Sequence, residues 1–250
     1  MRSRTLVGLT FAVLSAMTFG TSGALAKGLL DTGWSPGAAV TWRVGVAALV
    51  LLVPGALMMR GRWHLLRRGW VSMALFGLLA VAGCQLAYFL AVERISVAVA
   101  LLLEYLGIIL VVGWLWARHG QRPRPLTVAG AAVAVAGLIF VLDVFGAVQV
   151  DLIGVAWGLV AAVGLAVYFV VSADDSTGLP PLVLATGGLT IGTLALVAAG
   201  LVGIVPMTTA TADVRLADLS LPWWGAILLL GVVAAAFAYA TGIAATRRLG

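Results

Sequence analysis

The sequence predicts an all-α fold, a polytopic bundle of transmembrane helices, on three observations. Of its 250 residues 63% are hydrophobic and only 10% are charged. The apolar residues fall into runs long enough to cross a bilayer, and the few cations gather on alternate sides of those runs. A soluble domain covers itself with about a quarter charged residues, so this chain needs lipid as its solvent.

A hydrocarbon core about 30 Å thick takes roughly 20 helical residues. Eight apolar runs meet that length, at 5–26, 37–59, 70–92, 97–117, 126–142, 152–172, 182–203 and 222–245. The first follows Met1-Arg2-Ser3-Arg4 and could pass for a signal peptide. Ser15, Thr18, Thr21 and Ser22 interrupt it, however, and its length suits a retained span. Pro54 is expected to bend the inner end of the second.

Orientation follows from the cations. With a cytoplasmic N-terminus, that side holds Arg2, Arg4, Arg60, Arg62, Arg67, Arg68, Arg118, Arg122, Arg124, Arg247 and Arg248, which is 11 of the 15 Lys and Arg residues. Lys27, Arg94 and Arg215 fall on the other side, and Arg43 falls within a span. The bias predicts a cell (inner) membrane protein with both termini in the cytoplasm. Asp31, Glu93, Asp143, Asp151, Asp213 and Asp218 all fall outside. The net charge of +6 is topogenic on this reading, and no basic stripe with interleaved aromatics suggests nucleic acid.

The chain repeats itself. Residues 83–96 align without gaps to 237–250 at an offset of 154, and Gly8 onward resembles Gly154 onward. The first unit then covers 1–143 with five helices and the second 150–250 with three. Five is odd, so the second unit enters the membrane inverted, an arrangement that places a transport site near the midplane. The second unit lacks counterparts of two helices. Ala234, Ala235 and Ala238 are therefore expected to face lipid or a second subunit, as in a homodimer.

These stretches resemble the EamA-type transporters of the drug/metabolite transporter superfamily. The likeness rests on Pro36 to Arg43, Tyr88 to Leu115 with Leu103-Glu104-Tyr105-Leu106 at its centre, Val128 to Asp143, and Gly154 to Val170. It implies a five-plus-five inverted repeat and export of a small polar or amphiphilic metabolite. The setting of Glu104 is similar to that in exporters of threonine and homoserine. Ile108 stands where members commonly have proline, and a ninth and tenth helix are expected to be absent.

The residues themselves offer a few candidates. Arg43 and Glu104 lie at matched depths, roughly 9 and 10 Å below the outer surface at 1.5 Å per residue. Small neighbours, Ala39 and Ala47 for one and Ala100 and Gly107 for the other, suit a bundle interior. A membrane-embedded charge costs at least about 2.5 kcal/mol, so both should pair or line a wet cavity. Gln85 and Tyr88 share that layer and, with Glu104 and Tyr105, could bind a zwitterionic or polar solute; fastening the third span to the fourth is the alternative role. Tyr239 stands at the position equivalent to Gln85, and Tyr168 and Trp157 add aromatic surface. Gly188 with Gly192, and Gly154 with Gly158 and Ala162, suit close helix packing.

Enzymatic chemistry finds no support. The two histidines, His64 and His119, fall in or beside loops, and neither a Walker A nor a GxGxxG sequence occurs. No cofactor or metal is expected. The partners implied are the lipid bilayer, a small-molecule substrate and, through Glu104, a coupling proton. A truncated, non-transporting relic or accessory subunit is the competing expectation.

Overall fold

The computed structural model describes residues 2–141, 151–216 and 219–249. Asp143, Asp218, Gly250 and the expected boundary between 143 and 150 lie outside them. Helix α1 spans Arg2–Gly20, and after a break at Thr21 helix α2 continues over Ser22–Asp31. Helix α3 is Pro36–Met58, α4 is His64–Arg94, α5 is Val97–His119 and α6 is Pro125–Val141. Helix α7 is Leu152–Ala173, α8 is Pro181–Leu201 and α9 is Trp223–Leu249.

Local chemistry sets these ends. Ser35 and Ser96 accept from the N–H groups of Ala38 and Val99, capping α3 and α5, and Pro36 fits the first helical turn. Gly120 closes α5 in the left-handed conformation at φ 66°. The Asp151 carboxylate accepts from Ile153 and Gly154 at 2.8 and 3.0 Å. The Gly154 N–H first, then that of Ile153 and Arg94, hold this carboxyl below its ordinary value.

Several expectations are corrected. Among the described residues seven helices are long and apolar enough to span, and the fifth of the eight expected spans is an apolar helix described over Pro125–Phe140. The first span runs on to Asp31, the third starts at His64, and the last reaches Leu249. His64 is thus helical. Pro54 lies within helix α3. Ala234, Ala235 and Ala238 are fully buried, because α1 and α3 cover them: Ser15 Oγ donates to the Ala238 carbonyl at 2.8 Å, and Arg43 to that of Ala234.

Helix contacts are made through small residues. A Cβ on Gly188 would lie 2.3 Å from the Phe76 ring, and one on Gly77 would lie 2.6 Å from the Gly188 carbonyl. Gly107 and Gly164 bring α5 and α4 against α7, where added carbons would meet Ala162 O at 2.4 Å and Cys84 Cα at 2.8 Å. Without a hydrophobic force between helices in lipid, such backbone proximity supplies the dispersion that holds the bundle. Helix α4 is π-helical over Phe76–Gly83 and α9 over Leu229–Phe237, positions that coincide at the offset of 154 apart from one leading residue.

The ends of the bundle sort into two faces. On one, Arg247 donates to the carbonyls of Leu179 and Ser172, and Leu179 fills the space above Gly69. The chain's last turn, the 60–69 segment and the loop 173–180 therefore share a face. On the other, a short hairpin of β1 (Val214–Leu216) and β2 (Leu219–Leu221) rests on α2 at Gly28, and Trp34 Nε1 donates to Ala210 O at 2.8 Å. Arg94 and Asp151 meet there at 3.4 Å.

Backbone proximity gives a direct test. Gly107→Ala forces a methyl against a carbonyl that cannot rotate away and should cost about 1–3 kcal/mol. Gly113, with nothing within 4 Å of its would-be Cβ, is the matched control. Thermal unfolding in detergent should fall for the first and stay level or rise for the second.

Candidate functional site

A cavity of about 1340 Å³ enters between α1, α5, α7 and α9. Arg118, Gln121, Asp174 and Thr246 stand at its mouth, on the face that carries the chain's last turn. Its blind end is formed by Ala80, Cys84, Gln85, Glu104 and Tyr239. Phe19, Tyr105, Trp114, Tyr168 and Phe169 line the walls between. The polar groups at the blind end have almost no accessible surface, so a solute reaching them works against a snug, apolar floor.

Glu104 comes from the middle of α5 and is fully buried. Its Oε1 accepts from Cys84 Sγ at 3.5 Å, while Oε2 has no partner. Cys84 is also within 3.3 Å of the Ala161 carbonyl, so α4, α5 and α7 converge at this acid.

Arg43 is equally buried but oriented away. Its Nη1 donates to Gln85 Oε1, its Nη2 to Ala234 O at 2.8 Å, and its guanidinium lies over the rings of Phe19 and Phe89 at 5.3 and 5.7 Å. Gln85 stands between the guanidinium and the cavity. Arg43 and Glu104 form no ion pair; the ion pairs among the described residues are Lys27–Asp31 and Arg94–Asp151, both exposed. Of the two expectations for these charges, pairing or lining a wet cavity, the direct pair is not formed: each has separate partners.

The remaining candidates divide. Gln85 and Tyr239 border the cavity's blind end, and half-exposed Tyr105 faces both this cavity and a smaller one of about 340 Å³ between α5 and α6. Tyr88 lies off the cavity, edge-on to Phe89 at 5.9 Å, with its buried hydroxyl unpartnered near Gly23. Tyr239 Oη reaches Ala80 O at 3.5 Å, and its ring joins Phe19, Phe76 and Tyr168. Cys84 and Phe19 escaped the sequence reading. Cys84 lay beside Gln85 in the repeated stretch, a signal that could have been followed; Phe19 carries none, since its role arises from α1 packing on α9. Among the described residues no three metal-ligating side chains gather.

Residues 6–143 match the EamA-like transporter family, more than half of the chain, and the chain belongs to that family. It is a family of membrane transporters of small solutes, not of enzymes. No curated protein matches this chain. A crystal structure described only as that of a protein shares the fold with a TM-score of 0.66 and 24% identity, over 99% of this chain and 80% of that one.

Because each buried charge has its own partners, exchanging them should not restore what either loses alone. Arg43→Glu combined with Glu104→Arg should fold no better than either single variant, each being weaker by about 3–5 kcal/mol for a charge left without partners. The yield of monodisperse protein on size exclusion reads this out, and recovery in the double variant would show that the two charges act as a pair.

Proposed function

We propose that the chain exports a small amphiphilic metabolite, amino-acid-like or drug-like, through this cavity by alternating access. The observation that carries the reading is a cavity of about 1340 Å³ that opens on one face and ends on a buried carboxylate with a free oxygen. A solute's ammonium end meets Glu104, and its polar remainder meets the Gln85 amide. Its apolar body rests on Tyr105, Trp114 and Phe169. Tyr239 forms part of this floor, and Arg43 and Tyr88 lie behind it. Glu104 also exchanges the coupling proton, since a carboxylate at the end of a wettable path is the acid available to it.

The two moving bodies are the repeats at 1–143 and 150–250, inverted with respect to each other. The matched π segments support this. So does their seating: Gly77 of the first rests against Gly188 and Ile191 of α8, and Gly231 of the second against Arg43 and Val46 of α3. The face with the cavity mouth is, on this reading, the cytoplasmic side of the inner membrane, which the arginine distribution supports. The state described is thus open inward.

Two measurements test the reading. Proteoliposomes holding the full chain should move an arylalkyl-trimethylammonium probe faster than protein-free vesicles, and Glu104→Gln should slow that flux about tenfold, the effect of ~1.4 kcal/mol lost at the site. Flux equal to that of empty vesicles would fit the accessory-subunit role instead.

The topology is tested at the loop 173–180. Thr177→Cys in a Cys84→Ser background should resist an impermeant thiol reagent added outside whole cells and react once the membrane is opened. Position 177 is preferable to Gly178, whose φ of 71° a cysteine would strain. Labelling from outside would reverse the orientation.

A further inference from the structure

The two π segments carry equivalent alanines, Ala80 and Ala234, separated by the repeat offset of 154. The main-chain carbonyl of each is taken by a side chain from the opposite repeat. Ala234 O, in the second repeat, accepts from Arg43 of the first at 2.8 Å. Ala80 O, in the first, accepts from Tyr239 of the second at 3.5 Å. Tyr239 and Gln85 are themselves equivalent at that offset, and Gln85 is the residue that holds Arg43. One member of the equivalent pair thus reaches the opposite carbonyl directly, and the other reaches it through an arginine.

We propose that this reciprocal clasp is what joins the two repeats at their π segments, and that Arg43 and Tyr239 are positioning residues rather than solute ligands, with the Gln85 Oε1 holding Arg43. A π turn shifts the helical hydrogen-bond ladder by one residue and leaves carbonyls open to outside donors; such turns recur at functional sites. In hydrocarbon an open carbonyl has no water to turn to, so a donor from the facing repeat both satisfies it and ties the repeats together. The asymmetry has a steric cause. Arg43 and Gly188 touch the equivalent glycines of the two π segments, Gly231 and Gly77, but Phe76 occupies the space above Gly188, so α8 offers no room for a long donor and Tyr239 supplies one instead. Any rocking of one repeat against the other must break or exchange both contacts, which makes them the elements whose strength sets the balance of states. The inference rests on the structure of the repeats and holds whether or not the probe solute above is carried.

The clasp has a crosswise signature in amide hydrogen exchange, measured by mass spectrometry on the full chain in lipid nanodiscs. Tyr239→Phe removes one hydroxyl and keeps the ring cluster, so it should fold. It should speed exchange in the distant segment 76–83 about fivefold or more, while 229–237 changes less than about twofold. Gln85→Leu, which frees Arg43 from its holder, should do the reverse and speed 229–237. A merely structural loss would instead raise exchange around the substituted residue or throughout the bundle. Either of those patterns for Tyr239→Phe, or no change in 76–83, overturns the proposal.

Discussion

One guanidinium constrains how this bundle can assemble. Arg43 is fully buried in a span, where an unsatisfied charge would cost several kcal/mol and no water is at hand to repay it. Its Nη1 and Nη2 are met by Gln85 from α4 and by the Ala234 carbonyl from α9, its flat faces by Phe19 from α1 and Phe89 from α4, and its Nε has no partner. Three helices besides its own must therefore arrive at one point. Arginine suits this task because its charge is spread over a planar fork that can donate and stack at once.

The approach of those helices is allowed by what surrounds the arginine. Ala39, Ala47 and Gly231 leave room for backbones to come close, and the π segment of α9 presents a carbonyl in the right place. The same devices recur around Glu104, where Gly107, Gly158 and Gly164 let α4, α5 and α7 meet. The two charges thus sit in similar steric settings with different consequences. Both Nη groups of Arg43 are bonded within the protein and the residue does not line the cavity, whereas Glu104 keeps one oxygen unpartnered at the cavity's floor.

The sidedness of the molecule rests on a different balance. On the face with the cavity mouth, Arg247 ties the end of α9 to Ser172 and to the loop before α8, Arg248 lies over the Phe11 ring of α1, and Leu179 packs on Gly69. On the opposite face, Ser35 bonds Pro206 and Thr208, Trp34 bonds Ala210 and stacks near Trp223, and Val214 is buried against α2. Many short contacts thus close the end away from the cavity mouth.

The sequence by itself determined the solvent and the helices, because each depends on composition along the chain: apolar run length for the spans, and serine, aspartate and proline for their starts. It also brought Arg43, Gln85, Glu104 and Tyr239 forward, since polar residues in hydrocarbon stand out and the repeat pairs two of them. Only the tertiary structure decided which of these face the cavity. Depth along a helix is readable from a count of residues, but the direction of a side chain about the helix axis is set by the neighbours it packs on. A π segment advances that direction out of step with a count of 3.6 residues per turn, so matched depth placed Arg43 beside Glu104 while the actual packing turned it toward Gln85 and Ala234.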